Sequence, residues 1–166
     1  YNHSITGNVI DSELIHTAIR MSSTNNTYLI KNNQINVKEY AILLDGKCFM
    51  KTLTVQGNVI QAKNGFVIDN PRYTNGAMAE IHFFDNELTC QNNGISIYVN
   101  HYQSKNINVY NNYIRAGSRC ITLHSFAQYE PVYTMYIAYN YLLSLNGSEV
   151  YGVYNASRGT TVIAEN

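Results

Sequence analysis

The chain has 166 residues, which suits one domain, and its net charge is zero with only 13% charged residues. It contains no run of Lys and Arg, so nucleic acid is a poor partner, because phosphate binding needs clustered positive charge. No apolar stretch reaches the length of a membrane-spanning helix. The Cys residues have no metal-ligand spacing, so we predict no metal site and expect unpaired thiols in the core or in loops: Cys48, Cys90 and Cys120.

An Asn recurs along the chain every 25 to 28 residues, in the same local setting. Apolar residues stand five and three places before the Asn and two places after it, as Leu53, Val55 and Ile60 do around Asn58. Self-similarity at a period of this size predicts stacked structural repeats. The recurrent positions are Asn8, Asn33, Asn58, Asn86, Asn112, Asn140 and Asn166.

Each repeat divides into three short strands. The first ends just before the Asn, because the residues five and three places before it share one strand face. The residue directly before the Asn is Gly, Asn or Asp in five of the seven repeats, and these types tolerate the positive φ of a sharp turn. A second strand begins two places after the Asn. A third apolar alternation follows about eight to eleven residues past the Asn, each time after a small residue: Ile19-Arg20-Met21, Ile42-Leu43-Leu44, Phe66-Val67-Ile68, Ile95-Ser96-Ile97 and Ile121-Thr122-Leu123.

Three short strands per repeat, with no 3.6-residue apolar period, predict about six coils of a parallel β-helix. The pattern I-x-x-N-x-I followed by G-I-x-L resembles the right-handed parallel β-helix of pectate lyases, polygalacturonases and phage tailspike depolymerases, over nearly the whole chain. The resemblance implies an all-β, single-stranded solenoid domain covering 1–166. Neither end has a polar cap, so we expect a segment of a longer protein; the alternative is that partner subunits cover the ends.

Stacked coils would place the recurrent Asn side chains above one another in a single turn. Each amide has two N–H donors and a carbonyl acceptor, so neighbouring amides can hydrogen-bond along the stack. We therefore expect an inward Asn ladder with a structural role rather than a row of ligand contacts.

In the families that the chain resembles, substrate lies along the sheet formed by the third strands. Alternation along these strands predicts two outward columns of side chains. One column is Arg20, Leu43, Val67, Ser96 and Thr122, and the other is Ser22, Asp45, Asp69, Tyr98 and His124. The second column is polar throughout, and it places two carboxylates on adjacent coils, roughly 4.8 Å apart.

Asp45 and Asp69 form the candidate catalytic pair, because glycoside hydrolysis uses one carboxylic acid and one ionised nucleophile or base. His124 is the third candidate catalytic residue, since imidazole moves protons near neutral pH. Tyr98 and Arg20 are candidate substrate-binding residues. An ordinary alternative stays open, because both Asp residues also stand in strand-ending turn signals, Asp-Gly and Asp-Asn-Pro.

Loops are predicted after the third strands, at 46–52, 70–80, 100–106 and 125–134. They carry Tyr73, Tyr102 and Tyr129, whose rings are candidate substrate-binding surfaces for sugars. The alternative is that these rings pack on each other or on a neighbouring subunit. Glu80 and Glu130, in or beside the two longest loops, are reserve candidates for the carboxylate pair.

The resemblance and the polar column together predict an extracellular, secreted or virion-tail protein that degrades polysaccharide, as a glycoside hydrolase or a polysaccharide lyase. A hydrolase would need no cofactor, whereas a lyase would use Ca²⁺ held by Asp45 and Asp69. Two alternatives remain open, a non-catalytic carbohydrate-binding adhesin and a structural shaft. For a shaft or a tailspike we expect a homotrimer.

Overall fold

The computed structural model describes residues 2–21, 24–45, 49–70, 78–99, 106–125, 134–145, 151–156 and 160–166. Within these ranges the regular structure is entirely β-strand. The first nine strands are β1 (Asn2–Thr6), β2 (Val9–Ser12), β3 (Thr17–Met21), β4 (Thr24–Lys31), β5 (Gln34–Val37), β6 (Tyr40–Asp45), β7 (Phe49–Gln56), β8 (Val59–Ala62) and β9 (Asn64–Asn70). The others are β10 (Met78–Phe84), β11 (Glu87–Cys90), β12 (Asn93–Val99), β13 (Asn106–Tyr110), β14 (Tyr113–Ala116), β15 (Arg119–Ser125), β16 (Thr134–Ala138), β17 (Tyr141–Ser144), β18 (Tyr151–Ala156) and β19 (Thr160–Ala164).

Every third strand joins the same sheet, so the chain winds past three parallel sheets in turn. Sheet A has the order β1-β4-β7-β10-β13-β16-β19, sheet B has β17-β14-β11-β8-β5-β2, and sheet C has β18-β15-β12-β9-β6-β3. All the strand pairs are parallel, for example β7 with β10, β8 with β11 and β12 with β15. The predicted parallel β-helix with three strands per coil is therefore confirmed.

The core is a continuous apolar column between the three sheets. It holds the inward residues that the repeat predicted, such as Leu53, Ile60 and Phe66, which are all fully buried. The rings of Phe66 and Phe83 meet inside it with centroids 5.1 Å apart. Burial of this apolar surface is the main favourable term for a fold that has few charges.

Two of the three Cys residues belong to this core. Burial, together with the neighbouring Cys120, raises the pKa of the Cys90 thiol to about 12. Burial also raises the pKa of Cys120, and both thiols are free. Because the thiolate is the reactive form, these side chains act as small apolar groups at neutral pH. Cys48 lies outside the described residues.

The Asn ladder is present in the turn between sheets A and B. Asn86 Nδ2 donates to Asn112 Oδ1 at 3.0 Å and to the carbonyl oxygens of Val55 and Phe84. Its own Oδ1 accepts the backbone N–H of Asn58 at 3.0 Å and the Asn58 side-chain amide at 2.9 Å. The same pattern repeats along the stack, so the structural interpretation of the ladder is confirmed. The fully buried members are Asn33, Asn58, Asn86, Asn112 and Asn140, which span about four turns rather than the six coils of the whole repeat.

The residue before each ladder Asn has a left-handed backbone in all seven repeats. Residue type predicted this for the Gly, Asn and Asp positions, such as Gly57 at φ 64° and Asp85 at φ 55°. Tyr139 at φ 57° and Glu165 at φ 49° adopt the same conformation without a favourable residue type. At these two positions the stack of coils imposes the turn on the chain.

Small residues before the third strand are explained by the corner between sheets B and C. A Cβ atom on Gly94 would lie 2.6 Å from the carbonyl oxygen of Cys120 and would also clash with the side chain of Ile114. A Cβ atom on Gly65 would meet the carbonyl oxygen of Gly94. At Gly65 and Gly94 the neighbouring coil therefore leaves no room for a side chain, whereas Ala41 and Cys120 occupy the same position in other coils.

Replacement of a buried ladder amide should destabilise the whole solenoid. We expect Asn86→Ala to lower the free energy of unfolding by about 1–3 kcal/mol, because its partners become buried and unpaired. Chemical denaturation followed by circular dichroism measures this change. The matched control is Asn36→Ala, which removes a half-buried surface amide that donates to Asp11 at 2.9 Å and should change stability by less than about 0.5 kcal/mol. Equal effects from the two variants would contradict a structural ladder.

A residue suited to the left-handed turn should stabilise the protein at position 139. We expect Tyr139→Asn to raise the free energy of unfolding by about 1 kcal/mol, because Asn tolerates this conformation and the exposed Tyr ring contributes little burial. The control is Tyr141→Asn, two residues further on in β17, which should give no gain. A loss of stability in Tyr139→Asn as large as that in the control would show that the turn is not strained.

Candidate functional site

Sheet C carries the polar column that the sequence predicted. In the strand register Asp45 is the partner of Asp69, Asp69 is the partner of Tyr98, and Tyr98 is the partner of His124. The four residues therefore occupy one row across β6, β9, β12 and β15. Ser22, the predicted first member, lies outside the described residues. The predicted register is confirmed, while the catalytic roles stay predictions.

Solvent reaches this row unevenly. Asp69 is exposed, and Tyr98 and His124 are half-buried. The rings of Tyr98 and His124 contact each other with centroids 5.6 Å apart and planes inclined by 32°. The row thus offers an accessible carboxylate beside a phenol and an imidazole, which can exchange hydrogen bonds and protons with a hydroxyl-rich ligand.

The neighbouring outward column is mostly covered. Its register is as predicted, since Arg20, Leu43, Val67, Ser96 and Thr122 are successive partners. Arg20 is exposed and Leu43 is half-buried, but Ser96 and Thr122 are only 2% and 1% exposed. A ligand on sheet C can therefore reach Arg20, which lies in the Arg20–Thr122 column one strand before Asp45, but it cannot reach Ser96 and Thr122 at the other end of that column.

The two covered hydroxyl groups have no hydrogen-bond partner among the described residues. Ser96 Oγ and Thr122 Oγ1 belong to paired positions on β12 and β15, next to core residues that face the opposite way. Unpaired buried hydroxyls destabilise a fold, and they are uncommon in proteins.

Several predicted residues cannot be placed. Tyr73, Tyr102, Tyr129 and Glu130 lie outside the described residues. Glu80, the other reserve carboxylate, belongs to β10 on sheet A, where its Oε2 is 3.7 Å from His82 Nε2. It is therefore on a different sheet from Asp45 and Asp69.

The predicted loops are longer than the segments between strands in the structure. Residues 49–52 belong to β7, residues 78–80 to β10, and single residues at the other loop ends also join strands. The repeat pattern marks the first strand only from five residues before the ladder Asn onward, whereas backbone pairing with the neighbouring coil begins earlier, as between Met50 and Met78.

A second surface, on the outward face of sheet A, was not identified from the sequence. It is a shallow cavity of about 640 Å³, and we call its residues the sheet A pocket: His82, Asn108, Tyr110, Asn111, Tyr136 and Tyr139. Within it Asn108 Nδ2 lies 3.3 Å from His82 Nδ1. The sequence contains one indication of this surface. The residues two and four places before each ladder Asn alternate with the inward residues of the first strand, so they face outward on sheet A as the two predicted columns do on sheet C.

Sheet B has a third, more polar surface. Its cavity includes Glu39 and Lys63, whose charged groups are 3.3 Å apart. Tyr113 and Tyr141 stack on its outward face, with ring centroids 5.2 Å apart and planes inclined by 11°. The ion pair neutralises Glu39 and Lys63, and two further charged residues, Glu13 and Lys38, also line this cavity.

Neither a metal cluster nor a spanning helix was found in the described ranges. No group of three or more His, Cys, Asp and Glu side chains there could hold a metal ion. None of the described segments forms a helix long and apolar enough to cross a membrane.

Comparisons with known proteins found no relative of this chain. The chain matches no protein-family model, and neither a curated protein nor a solved structure gives a significant match. The parallel β-helix is therefore established by the strand register and the ladder of this chain. Membership of the pectate-lyase-like superfamily stays a proposal.

Removal of a buried unpaired hydroxyl should stabilise sheet C. We expect Thr122→Val to raise the free energy of unfolding by about 1 kcal/mol, because Val keeps the shape and needs no hydrogen bond. Val67 already occupies the same column, so the register position accepts this side chain. The control is Thr54→Val on the half-buried outward face of sheet A, with an expected change below about 0.5 kcal/mol. A loss of stability in Thr122→Val, measured by chemical denaturation, would mean that the hydroxyl has a partner.

Proposed function

We propose that this protein is a polysaccharide-degrading β-helix of the pectate-lyase-like type, acting outside the cell or on a virion tail. The single observation that carries the proposal is the register pairing of Asp45 with Asp69 on adjacent strands of sheet C. Adjacent parallel strands are roughly 4.8 Å apart, which is close to the separation of the two carboxyl groups in retaining glycoside hydrolases.

In this proposal the two carboxyl groups have different catalytic roles. One, protonated, donates its proton to the glycosidic oxygen as that bond breaks, and the other attacks the anomeric carbon or activates a water molecule. Tyr98 and His124 continue the row and would hold sugar hydroxyls or return a proton. Arg20, exposed beside the row, would pair with a carboxylate of an acidic glycan.

A lyase is the second form of the same proposal. There the two Asp side chains would hold Ca²⁺, for which carboxylate oxygens are suitable ligands, and the ion would neutralise an acidic sugar. The described residues contain no third carboxylate, His or Cys in a cluster with them. The hydrolase form requires only the pair.

Glycan binding without turnover is the alternative function. It is favoured by the position of the two Asp residues, because Asp45 is the last residue of β6 and Asp69 stands one before the last of β9. Asp is common at such strand ends for conformational reasons alone. A binding protein or a structural shaft would use the same stacked surface with no acid–base pair.

The test is cleavage of a polysaccharide panel, followed by release of reducing ends for a hydrolase and by ultraviolet absorbance of the unsaturated product for a lyase. We expect Asp45→Asn and Asp69→Asn each to lower kcat by about a hundredfold or more, because each removes an acid–base or nucleophilic group. Asp11→Asn is the control, since Asp11 is an exposed Asp on the outward face of sheet B. Full activity in both Asp variants would refute the catalytic pair, and binding without any cleavage by the wild type would favour the adhesin.

A further inference from the structure

The sheet A pocket, which was not identified from the sequence, has the features of a binding site. Its side chains come from three successive strands, β10, β13 and β16, and from the turns that follow two of them. Its volume of about 640 Å³ is in the range of small-ligand sites. Strands stacked on a rigid core hold these groups in place, so a ligand would meet a preformed surface.

One wall of the pocket is the end of an aromatic stack. The rings of Phe84 and Tyr110 are parallel, with centroids 4.9 Å apart and planes inclined by only 2°. The next residue in this column, on β16, is Ala138, which contributes no ring and is itself fully buried. The stack therefore ends at Tyr110, and the pocket is lined there by Tyr110, Tyr136 and Tyr139.

The polar groups of the pocket suit hydroxyl groups. Asn108 and Asn111 supply amide donors and acceptors, and His82 supplies ring nitrogens. Burial and the nearby carboxylate of Asp85 raise the pKa of Tyr110, so its hydroxyl keeps its proton and can donate. Flat aromatic rings bordered by such groups match the face and the edge hydroxyls of a sugar ring.

The charges of the pocket select against an acidic ligand. None of the residues that line it is Lys, Arg, Asp or Glu. Among the described residues, three carboxylates lie close to it: Glu80 beside His82, Asp85 near Tyr110, and Glu165 beside Tyr139. They would repel a uronic acid or a sulfated sugar, and they leave a neutral sugar as the suitable ligand.

We propose that the sheet A pocket binds a neutral sugar residue of a polysaccharide, with the sugar ring packed against Tyr110 and flanked by Tyr136 and Tyr139. It is a second glycan-binding site, on a different sheet from the Asp45 and Asp69 row. It would hold a polymer on the protein whether or not cleavage takes place on sheet C. It does not depend on the proposed catalytic pair, because none of its residues belongs to that row.

Affinity gel electrophoresis measures this binding. The wild type would be run in gels that contain dextran, galactomannan or hydroxyethyl cellulose as neutral polymers, with polygalacturonate as the acidic comparison. We expect at least one neutral polymer to retard the protein. Tyr110→Ala and Tyr139→Asn should each weaken that affinity roughly three- to tenfold, the usual value of one aromatic stacking contact.

Two variants separate binding from folding. Tyr139→Asn suits the left-handed turn and should not reduce stability, so a loss of affinity in it cannot come from unfolding. Tyr110→Trp keeps an aromatic face and should retain binding. The chain has no Trp, so this variant has a single Trp, and the emission of that Trp, excited selectively over the Tyr residues, should change when the neutral polymer is added.

Tyr113→Ala is the matched control, because Tyr113 is also a stacked, outward Tyr but lies on sheet B. It should leave the affinity unchanged. The proposal is overturned if no neutral polymer retards the wild type, if Tyr113→Ala weakens binding as much as Tyr110→Ala, or if only polygalacturonate shows Tyr110-dependent binding. It is also overturned if light scattering finds an oligomer that Tyr110→Ala dissociates, which would make the pocket an interface between copies. Loss of cleavage in Asp45→Asn or Asp69→Asn would not change the expected binding of a neutral polymer, because those variants alter sheet C and not the sheet A pocket.

Discussion

The buried stack of Asn amides is the interaction on which the rest of this structure depends. Each inner amide oxygen accepts hydrogen bonds from the backbone N–H and the side-chain amide of the ladder Asn in the preceding coil, as Asn86 Oδ1 does from Asn58. A slip of one residue would leave several of these groups buried without partners, and it would also turn the apolar strand faces outward. Two independent terms, amide pairing and core burial, therefore favour the same register. That agreement explains why Tyr139 adopts a left-handed turn that its residue type disfavours.

Stacking has a direct consequence for function, because it converts each repeat position into a column of side chains. The surface of the three sheets is a set of such columns at roughly 4.8 Å spacing. A surface of this kind suits an extended polymer, since equivalent groups recur along one direction and the strands keep them rigid. Sheet C presents a row of carboxylate, phenol and imidazole, whereas sheet A presents aromatic rings and amides. The two faces differ in their functional groups, so under the proposed function they would contact different parts of a glycan.

Much of the sheet C row could be predicted from the sequence, because alternation and a constant repeat are enough to name the partners of Asp69 and Tyr98. Their exposure could not be predicted. Ser96 and Thr122 point away from the core and are nevertheless covered, which alternation along the strand does not predict. The sheet A pocket was missed for another reason. Its outward positions follow from the same pattern. The cavity, however, opens where the column of aromatic rings ends at Tyr110, and that depends on the sizes and orientations of the side chains in the folded protein.

The sequence by itself determined the period, the three strands per coil, the inward apolar faces and the ladder, because these are local and repeat along the chain. Only the tertiary structure decided which outward residues reach solvent, where a surface cavity opens, and which polar groups lack a partner. The physical reason is the range of the interactions. Alternation and turn preference act over a few residues, whereas exposure and hydrogen-bond partners depend on whatever the neighbouring coil, about 25 to 28 residues away, places against each side chain.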